Sequence, residues 1–376
     1  MTGFFMQQIA QGWLIYDLTG SATWLGIVSF AGGIPMLVLS LPAGVIVDRF
    51  ERRTSLVVAQ ALTAALAVLL AVLTATGLVE PWHVAAVALA SGCCLVVIVP
   101  ARQALLPSTI ERPQMGAAIA LMSIGLNSGR VVGPSVAGVL IAAFGAAVAF
   151  AAQAVGFVLA LLCAWMLAPQ RSAGQAHQRS ALQNLLEGLR YVWNDPTVFA
   201  LMCLQAIPAF LLMPYAQLMP IFARDILQTG PDGLGTLMTA LGVGSVAGSI
   251  GIVVVQHQRR GLLLFLSAAG FGAALALFSV STSLWLSIAI MGLVGVAQAI
   301  YLAMNNTLVQ IATPDHLQGR VMSVYMMTWG LMPLGSLPQG ILADWFGAPV
   351  VLGMSGLLAC LAIGILAARF PSLRTM

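Results

Sequence analysis

The chain contains no lysine: all 15 of its basic residues are arginine, and with 11 acidic residues they bring the charged fraction of 376 residues to only 7%. A soluble domain carries about 25% charge, so lipid rather than water must be the solvent around most of this surface. Without lysine there is no nucleotide-binding glycine loop, which argues against ATP-driven chemistry in this polypeptide. The four histidines (His83, His177, His257, His316) fall in predicted loops, so neither a metal site nor a catalytic triad is supported. Cys93, Cys94, Cys163, Cys203 and Cys360 lie in apolar stretches and read as small core hydrophobes. No acid, base or metal cluster is expected at membrane depth, so the chain is not expected to be an enzyme or to carry a cofactor. Basic runs stop at Arg52-Arg53 and Arg259-Arg260, too short for a nucleic-acid partner. A charged n-region and a cleavage site are also lacking, so the first apolar stretch reads as a span. From Met1 to Tyr16 that helix rises about 24 Å against a hydrocarbon core of about 30 Å, so an abbreviated, N-terminally truncated helix 1 is expected.

What is abundant is apolar sequence: 60% hydrophobic residues and a mean hydropathy of +0.99. Charges, Pro-Gly clusters and short polar breaks divide it into twelve spans, at about 1–16, 24–47, 54–77, 83–104, 114–144, 146–168, 197–222, 233–255, 261–280, 284–311, 318–345 and 348–369. The one long polar stretch, 169–196, separates an N-terminal six-helix bundle (1–168) from a C-terminal one (197–376) and is expected to be a cytoplasmic linker. With the N-terminus cytoplasmic, thirteen arginines (49, 52, 53, 102, 112, 171, 179, 190, 259, 260, 320, 369 and 374) fall inside, Arg224 outside and Arg130 within the membrane. The positive-inside rule therefore predicts a multi-pass protein with both termini cytoplasmic. Trp13, Trp24, Trp82, Trp285 and Trp345 at outer ends, and Trp165 and Trp193 at inner ends, fit the aromatic belt; Trp329 alone is at mid-depth.

The chain repeats itself. An offset of 202 superimposes Gly133 on Gly335, Gly138 on Gly340, Leu140 on Leu342, and Phe144-Gly145-Ala146 on Phe346-Gly347-Ala348. Helices 5 and 6 thus recur as helices 11 and 12. Six intervening spans, an even number, give both copies the same orientation about an axis along the membrane normal.

At the inner end of helix 2 stands Gly44-Val45-Ile46-Val47-Asp48-Arg49-Phe50-Glu51-Arg52-Arg53. Gly44 allows close helix approach, and Asp48 at a helix C-terminus is disfavoured by the dipole and needs a partner. This run resembles the loop signature of the major facilitator superfamily. The resemblance implies a latch in which Asp48 meets an arginine and a helix N-terminus of the other half; the alternative is a surface loop whose arginines only set topology. At an offset of 207, Gly251, Arg259 and Arg260 recur but Asp48 becomes Val255, so the second latch is expected to be degenerate.

Helix 5 carries Gly125, Gly129, Gly133, Pro134 and Gly138. The first three glycines are spaced for one smooth packing face, and Pro134 is expected to bend the helix. Gly129 to Gly138 is similar to the glycine-proline motif of drug antiporters in that superfamily; ordinary helix packing would use the same residues. Arg130 lies about 24 Å along the axis from the inner start of helix 5, too deep to snorkel. A charge there costs at least about 2.5 kcal/mol, so it should face a wet cavity or a partner: carbonyls, Asn127, Gln298, Asn305, water or a substrate anion. It either serves transport or ties helices together. Trp329 is the repeat-mate of Asn127, and with Met122 and Met326 would line a shared cavity, although a methionine stripe also suits plain core. Helix 7 has Pro208 and Pro214 around Phe210 and Tyr215, reading as a kinked gate or cavity wall, or as a packing bend. Arg102, after Pro100, is either an interface anchor or a cavity-mouth charge.

Three further stretches, Tyr16-Asp17-Leu18-Thr19-Gly20-Ser21-Ala22, Pro100 to Pro107, and Gly319-Arg320-Val321-Met322-Ser323, are similar to the branch of the superfamily that contains macrolide efflux proteins and the enterobactin exporter. That resemblance implies an all-α, twelve-helix fold of two pseudo-twofold halves in a bacterial inner membrane. It also implies a monomer that exports small amphipathic compounds by proton antiport, with lipid and substrate as its only partners. Uptake, lysophospholipid flipping, or a receptor or assembly role without flux are the alternatives.

Overall fold

The computed structural model describes residues 2–49, 51–109, 114–167, 181–254 and 260–375. These residues are almost entirely helical: α1 (Thr2–Thr19), α2 (Ala22–Arg49), α3 (Arg52–Ala75), α4 (Pro81–Thr109), α5 (Met115–Phe144), α6 (Ala146–Trp165), α7 (Ala181–Asn194), α8 (Pro196–Leu211), α9 (Tyr215–Ile221), α10 (Gly230–Val254), α11 (Arg260–Ser279), α12 (Leu284–Ala312), α13 (Gln318–Thr328), α14 (Leu331–Phe346) and α15 (Ala348–Arg369). Among the described residues, nine helical runs are long and apolar enough to cross a membrane. With α1, α5 and the α13–α14 pair they make up the twelve-helix plan.

The boundaries follow local chemistry. The Asp195 carboxylate accepts the Thr197 and Val198 N–H groups at 2.9 and 3.0 Å, and Pro196 occupies the first turn, a strong start signal for α8. Gly145 and Gly347, repeat-mates, take positive φ values of 83° and 86° at the α5–α6 and α14–α15 corners, a conformation open to glycine at no steric cost. Trp82, Trp165, Trp193, Trp285 and Trp345, all at or beside helix ends, are 57–80% exposed, as membrane-interface residues would be.

The chain forms two units, residues 1–20 with 27–178, and residues 21–26 with 179–376. In the first, α1 packs on α4, α5 and α6, and α3 on α4 and α6, with Ile15, Leu70 and Phe150 fully buried. In the second, α12 packs between α10 and α11, α11 on α15, and α14 and α15 on α8, around Phe222, Phe271, Phe278 and Tyr301.

Two expectations are corrected and one is refined. The stretch 169–196, expected as a linker, contains α7, which docks on α13 and α8; the apolar residues of this short helix lie on one side and are hidden in sequence by its polar average. At its end the Tyr191 hydroxyl donates to Asp195 at 3.3 Å, and burial together with that carboxylate pushes the phenol above its ordinary value. The span 318–345 is two helices. Pro333 has no N–H for the Trp329 carbonyl, which instead accepts from Met332 at 3.2 Å, and the chain breaks there. Among the cysteines, Cys163 is exposed rather than core, since its side of α6 faces outward.

Candidate functional site

The second unit is built around an interrupted helix. Pro208 and Pro214 cannot donate to the carbonyls of Leu204 and Phe210, four residues earlier, and α8 stops at Leu211 before α9 restarts at Tyr215. A buried carbonyl without a partner costs about 1–3 kcal/mol, and side chains from other helices remove that cost. The single hydroxyl proton of Tyr301 on α12 is shared between Leu204 O at 3.1 Å and Gln205 Oε1 at 2.9 Å. The Gln339 amide of α14 donates to Phe210 O at 3.2 Å and to Leu211 O at 2.9 Å. Gln217 of α9 returns a bond to Ser336 O at 2.8 Å. Beyond α9, a π-helical turn, Phe222–Ile226, ends the run. Gly335 makes this clasp possible: a Cβ there would stand 2.1 Å from Phe210 O, so α14 and α8 meet backbone to backbone.

Beside the clasp lies a fully buried polar cluster. Gln205 Oε1 accepts from Tyr301 Oη at 2.9 Å and from Asn305 Nδ2 at 3.0 Å, and all three side chains are 0% exposed. Gln205 Nε2 and Asn305 Oδ1 are left as one buried donor and one buried acceptor. Asn305, one of the candidate partners expected for Arg130, uses its Nδ2 here, inside the second unit. Tyr215 is buried too, edge-on to Phe271 with centroids 6.0 Å apart. Gln298 is half-buried and donates to Met213 Sδ at 3.1 Å. Trp329 sits half-buried at the α13–α14 break, one turn from the exposed Met326.

In the first unit, Arg130 is half-buried with its guanidinium carbon 5.8 Å from the centre of the Phe5 ring, a cation–π contact across α5 and α1. Phe5 was absent from the partners expected for Arg130, because an aromatic ring carries no polar signal in sequence. Gly133, one turn on, admits α1: a Cβ there would come within 2.8 Å of Phe5 Cβ and 2.9 Å of Thr2 O. Gly129 and Gly138 are buried. Gly125 departs from the expected packing face, since a Cβ there would meet nothing within 4 Å; the described part of α1 meets α5 at Gly133, about 12 Å away along the axis. Pro134 is buried and leaves α5 a single helix, and Met122 is half-buried. Gln7 donates to Ser91 Oγ of α4 at 3.1 Å, while Gln11 Nε2 and Gln153 Oε1 are buried without a bond among the described residues.

Of the expected inner gate, Gly44, Asp48 and Arg49 lie in the C-terminal part of α2 and Arg52 opens α3, but their side chains are outside what the structure describes, as is that of the expected cavity residue Asn127. Arg53 donates to the Trp165 carbonyl, tying α3 to α6, and Arg102 is half-buried near the C-terminal end of α4. A comparable clamp, not foreseen from sequence, occurs elsewhere. The Asp344 carboxylate at the end of α14 accepts from Ser21 Oγ at 2.6 Å and from the N–H groups of Ala22 at 2.6 Å and Thr23 at 2.9 Å. It thereby caps the first turn of α2, whose orphan donors and dipole favour an anion. Gly26 and Gly340 bring the backbones together: a Cβ on Gly340 would be 2.5 Å from Ala22 O. The sequence signal was Ser21-Ala22-Thr23 followed by an apolar run, but the capping partner comes from 322 residues away. Among the described residues no group of three or more His, Cys, Asp or Glu could hold a metal.

A family model described as transmembrane secretion effector matches residues 1–376. The chain is 28% identical to the multidrug efflux pump Tap of Mycolicibacterium fortuitum, over 98% of this chain and 92% of the relative. It is 26% identical to a staphyloferrin A transporter of Staphylococcus aureus (94% and 89% covered) and 23% identical to macrolide efflux protein A of Streptococcus pyogenes (95% and 90%). In fold it resembles the crystal structure of a bacterial homologue of the human lysosomal transporter Spinster, with a TM-score of 0.77, 12% identity, and 100% and 96% of the two chains covered.

Proposed function

Because the chain belongs to the transmembrane secretion effector family of the major facilitator superfamily, and so is a membrane transporter and not an enzyme, we propose that it exports small amphipathic compounds of the drug, macrolide or siderophore class by alternating access, driven by proton antiport. The observation that carries the reading is near full-length similarity to proteins named for multidrug and macrolide efflux. The arginine distribution supports a bacterial inner-membrane setting with both termini cytoplasmic. Arg130 supports a role along the transport path, because a charge is retained inside a membrane segment where it has work to do. It sits on α5 against α1, and Gln7, Gln11 and Gln153 add amide groups to the same packed region. In the second unit, the clasped α8–α9 break supplies a helix that can change shape without exposing backbone carbonyls to hydrocarbon. The protein acts as a monomer, with Asp48 and its neighbouring arginines latching the inner side.

An efflux-deficient bacterial host expressing the protein tests this directly. Resistance to macrolides, dyes or siderophore analogues should rise and their accumulation fall, and an uncoupler should abolish both changes. Raised accumulation would reverse the direction, and efflux indifferent to the uncoupler would remove proton coupling. Compound movement into everted vesicles acidified inside separates export from uptake or lipid flipping.

A further inference from the structure

We propose that α7 and the C-terminal turn form a binding site for an anionic phospholipid at the membrane surface. The apolar arc of α7 is wider than the protein that covers it. At 100° per residue, Leu185, Gly188 and Val192 share one side, and all three are buried against α13 and α8. Their seating is close: a Cβ on Gly188 would lie 2.7 Å from Arg320 O, and Arg320 pairs with Glu187. The next side of the same helix carries Leu186, Leu189 and Trp193, which are 55%, 44% and 78% exposed. Arg190 follows directly at the edge of that arc, and the remainder is polar. Trp193 also opens a cavity of about 420 Å³ that it shares with Asn194, Pro196, Phe199 and Phe370. The Trp193 and Phe199 rings meet edge to face at 5.5 Å.

The other wall is fixed by the chain end. A 3-10 turn, Pro371–Thr375, folds back so that buried Leu373 sits on α11, where a Cβ on Gly261 would be 1.5 Å from Leu373 O. That turn follows Phe370, which lines the cavity; Arg369, adjacent to Phe370 in sequence, and Arg374, four residues on, are exposed. Among the described residues neither Arg190 nor Arg369 carries an ion pair. Apolar side chains that border arginines on a helix joining two membrane spans match the acyl–headgroup boundary of a bilayer. Aromatic rings take the acyl carbons, and the guanidinium groups take the phosphate, whose oxygens fit their fork. The occupant is therefore a phospholipid with net negative charge rather than a zwitterionic one.

Native mass spectrometry of the purified full-length protein, titrated with phosphatidylglycerol or phosphatidylcholine, tests this without reference to transport. We expect phosphatidylglycerol to be retained at concentrations about tenfold lower than phosphatidylcholine. The Arg190→Gln/Arg369→Gln double variant should lose that preference and Arg190→Lys/Arg369→Lys should keep it. Trp193→Ser should weaken retention of both lipids. Equal retention of the two lipids by the wild type, or an undiminished preference in the glutamine double variant, would overturn the proposal. Competition by free glycerol phosphate as effective as by the lipid would assign the site to a soluble phosphate instead and equally overturn it.

Discussion

Helix α5 and its repeat, the α13–α14 pair, start from similar sequence and end in different structures. Both place a glycine, Gly133 or Gly335, against the first membrane helix of their own half, α1 or α8. Both turn the corner to the next helix on a positive-φ glycine. Yet α5 runs unbroken through Pro134, with Arg130 stacked on Phe5, whereas the second copy breaks at Trp329 ahead of Pro333. The packing contact is thus the shared element of the repeat, and the proline position decides whether the helix survives. A charge stands in the unbroken copy; its repeat-mate in the broken copy is Met332.

The strongest way to break this pairing is at the charge. Arg130→Ala should reduce efflux at least about tenfold while insertion stays intact, because the charge that α5 pays to hold is removed; Met332→Ala should leave efflux near wild type. Accumulation assays on both inserted variants check it, and normal efflux by Arg130→Ala removes the residue from the path. The glycines come next. Overpacking costs about 1–3 kcal/mol, and thermal melting in detergent should rank Gly335→Ala as most destabilising, then Gly133→Ala, with Gly125→Ala close to neutral. Equal melting temperatures for the three would mean that the close approaches do not hold the repeats together.

A finer test addresses the clasp. Tyr301→Phe should cost about 1 kcal/mol by removing the proton that Leu204 O and Gln205 Oε1 share. In a Pro208→Ala background an N–H is restored to the Leu204 carbonyl, so the two losses should be less than additive in unfolding. Strict additivity would show that Tyr301 does not stand in for the missing amide. The smallest effect is expected at the α2 cap: Asp344→Asn should lower stability by about 0.5–1 kcal/mol, since an amide keeps one of the two acceptor oxygens and no longer offers a charge to the dipole. Melting at low and high salt checks it, the wild-type advantage shrinking as salt rises.

How legible the candidate site was depended on the range of the interactions. Arg130 and the prolines at 208 and 214 stood out because charge and missing N–H groups are local anomalies in an apolar run. Gln205, Tyr301 and Gln339 did not, because an amide or a phenol in a membrane helix says nothing of which distant carbonyl it will reach. Pro333 was visible yet read as part of one span, since proline near a glycine-rich stretch fits both a bend and a break. α7 was obscured by averaging a polar segment whose apolar residues lie on one side only.

By itself the sequence determined the solvent, the number of membrane passes, the six-plus-six repeat and the glycines at its contacts, because each follows from composition or spacing along a helix. Only the tertiary structure decided which carbonyls freed by proline are re-satisfied and by whom, that Asp344 caps a helix 322 residues away, and that Phe5 receives Arg130. These are pairings between helices, and hydropathy is blind to them because it records how apolar a residue is and not which neighbour it will meet.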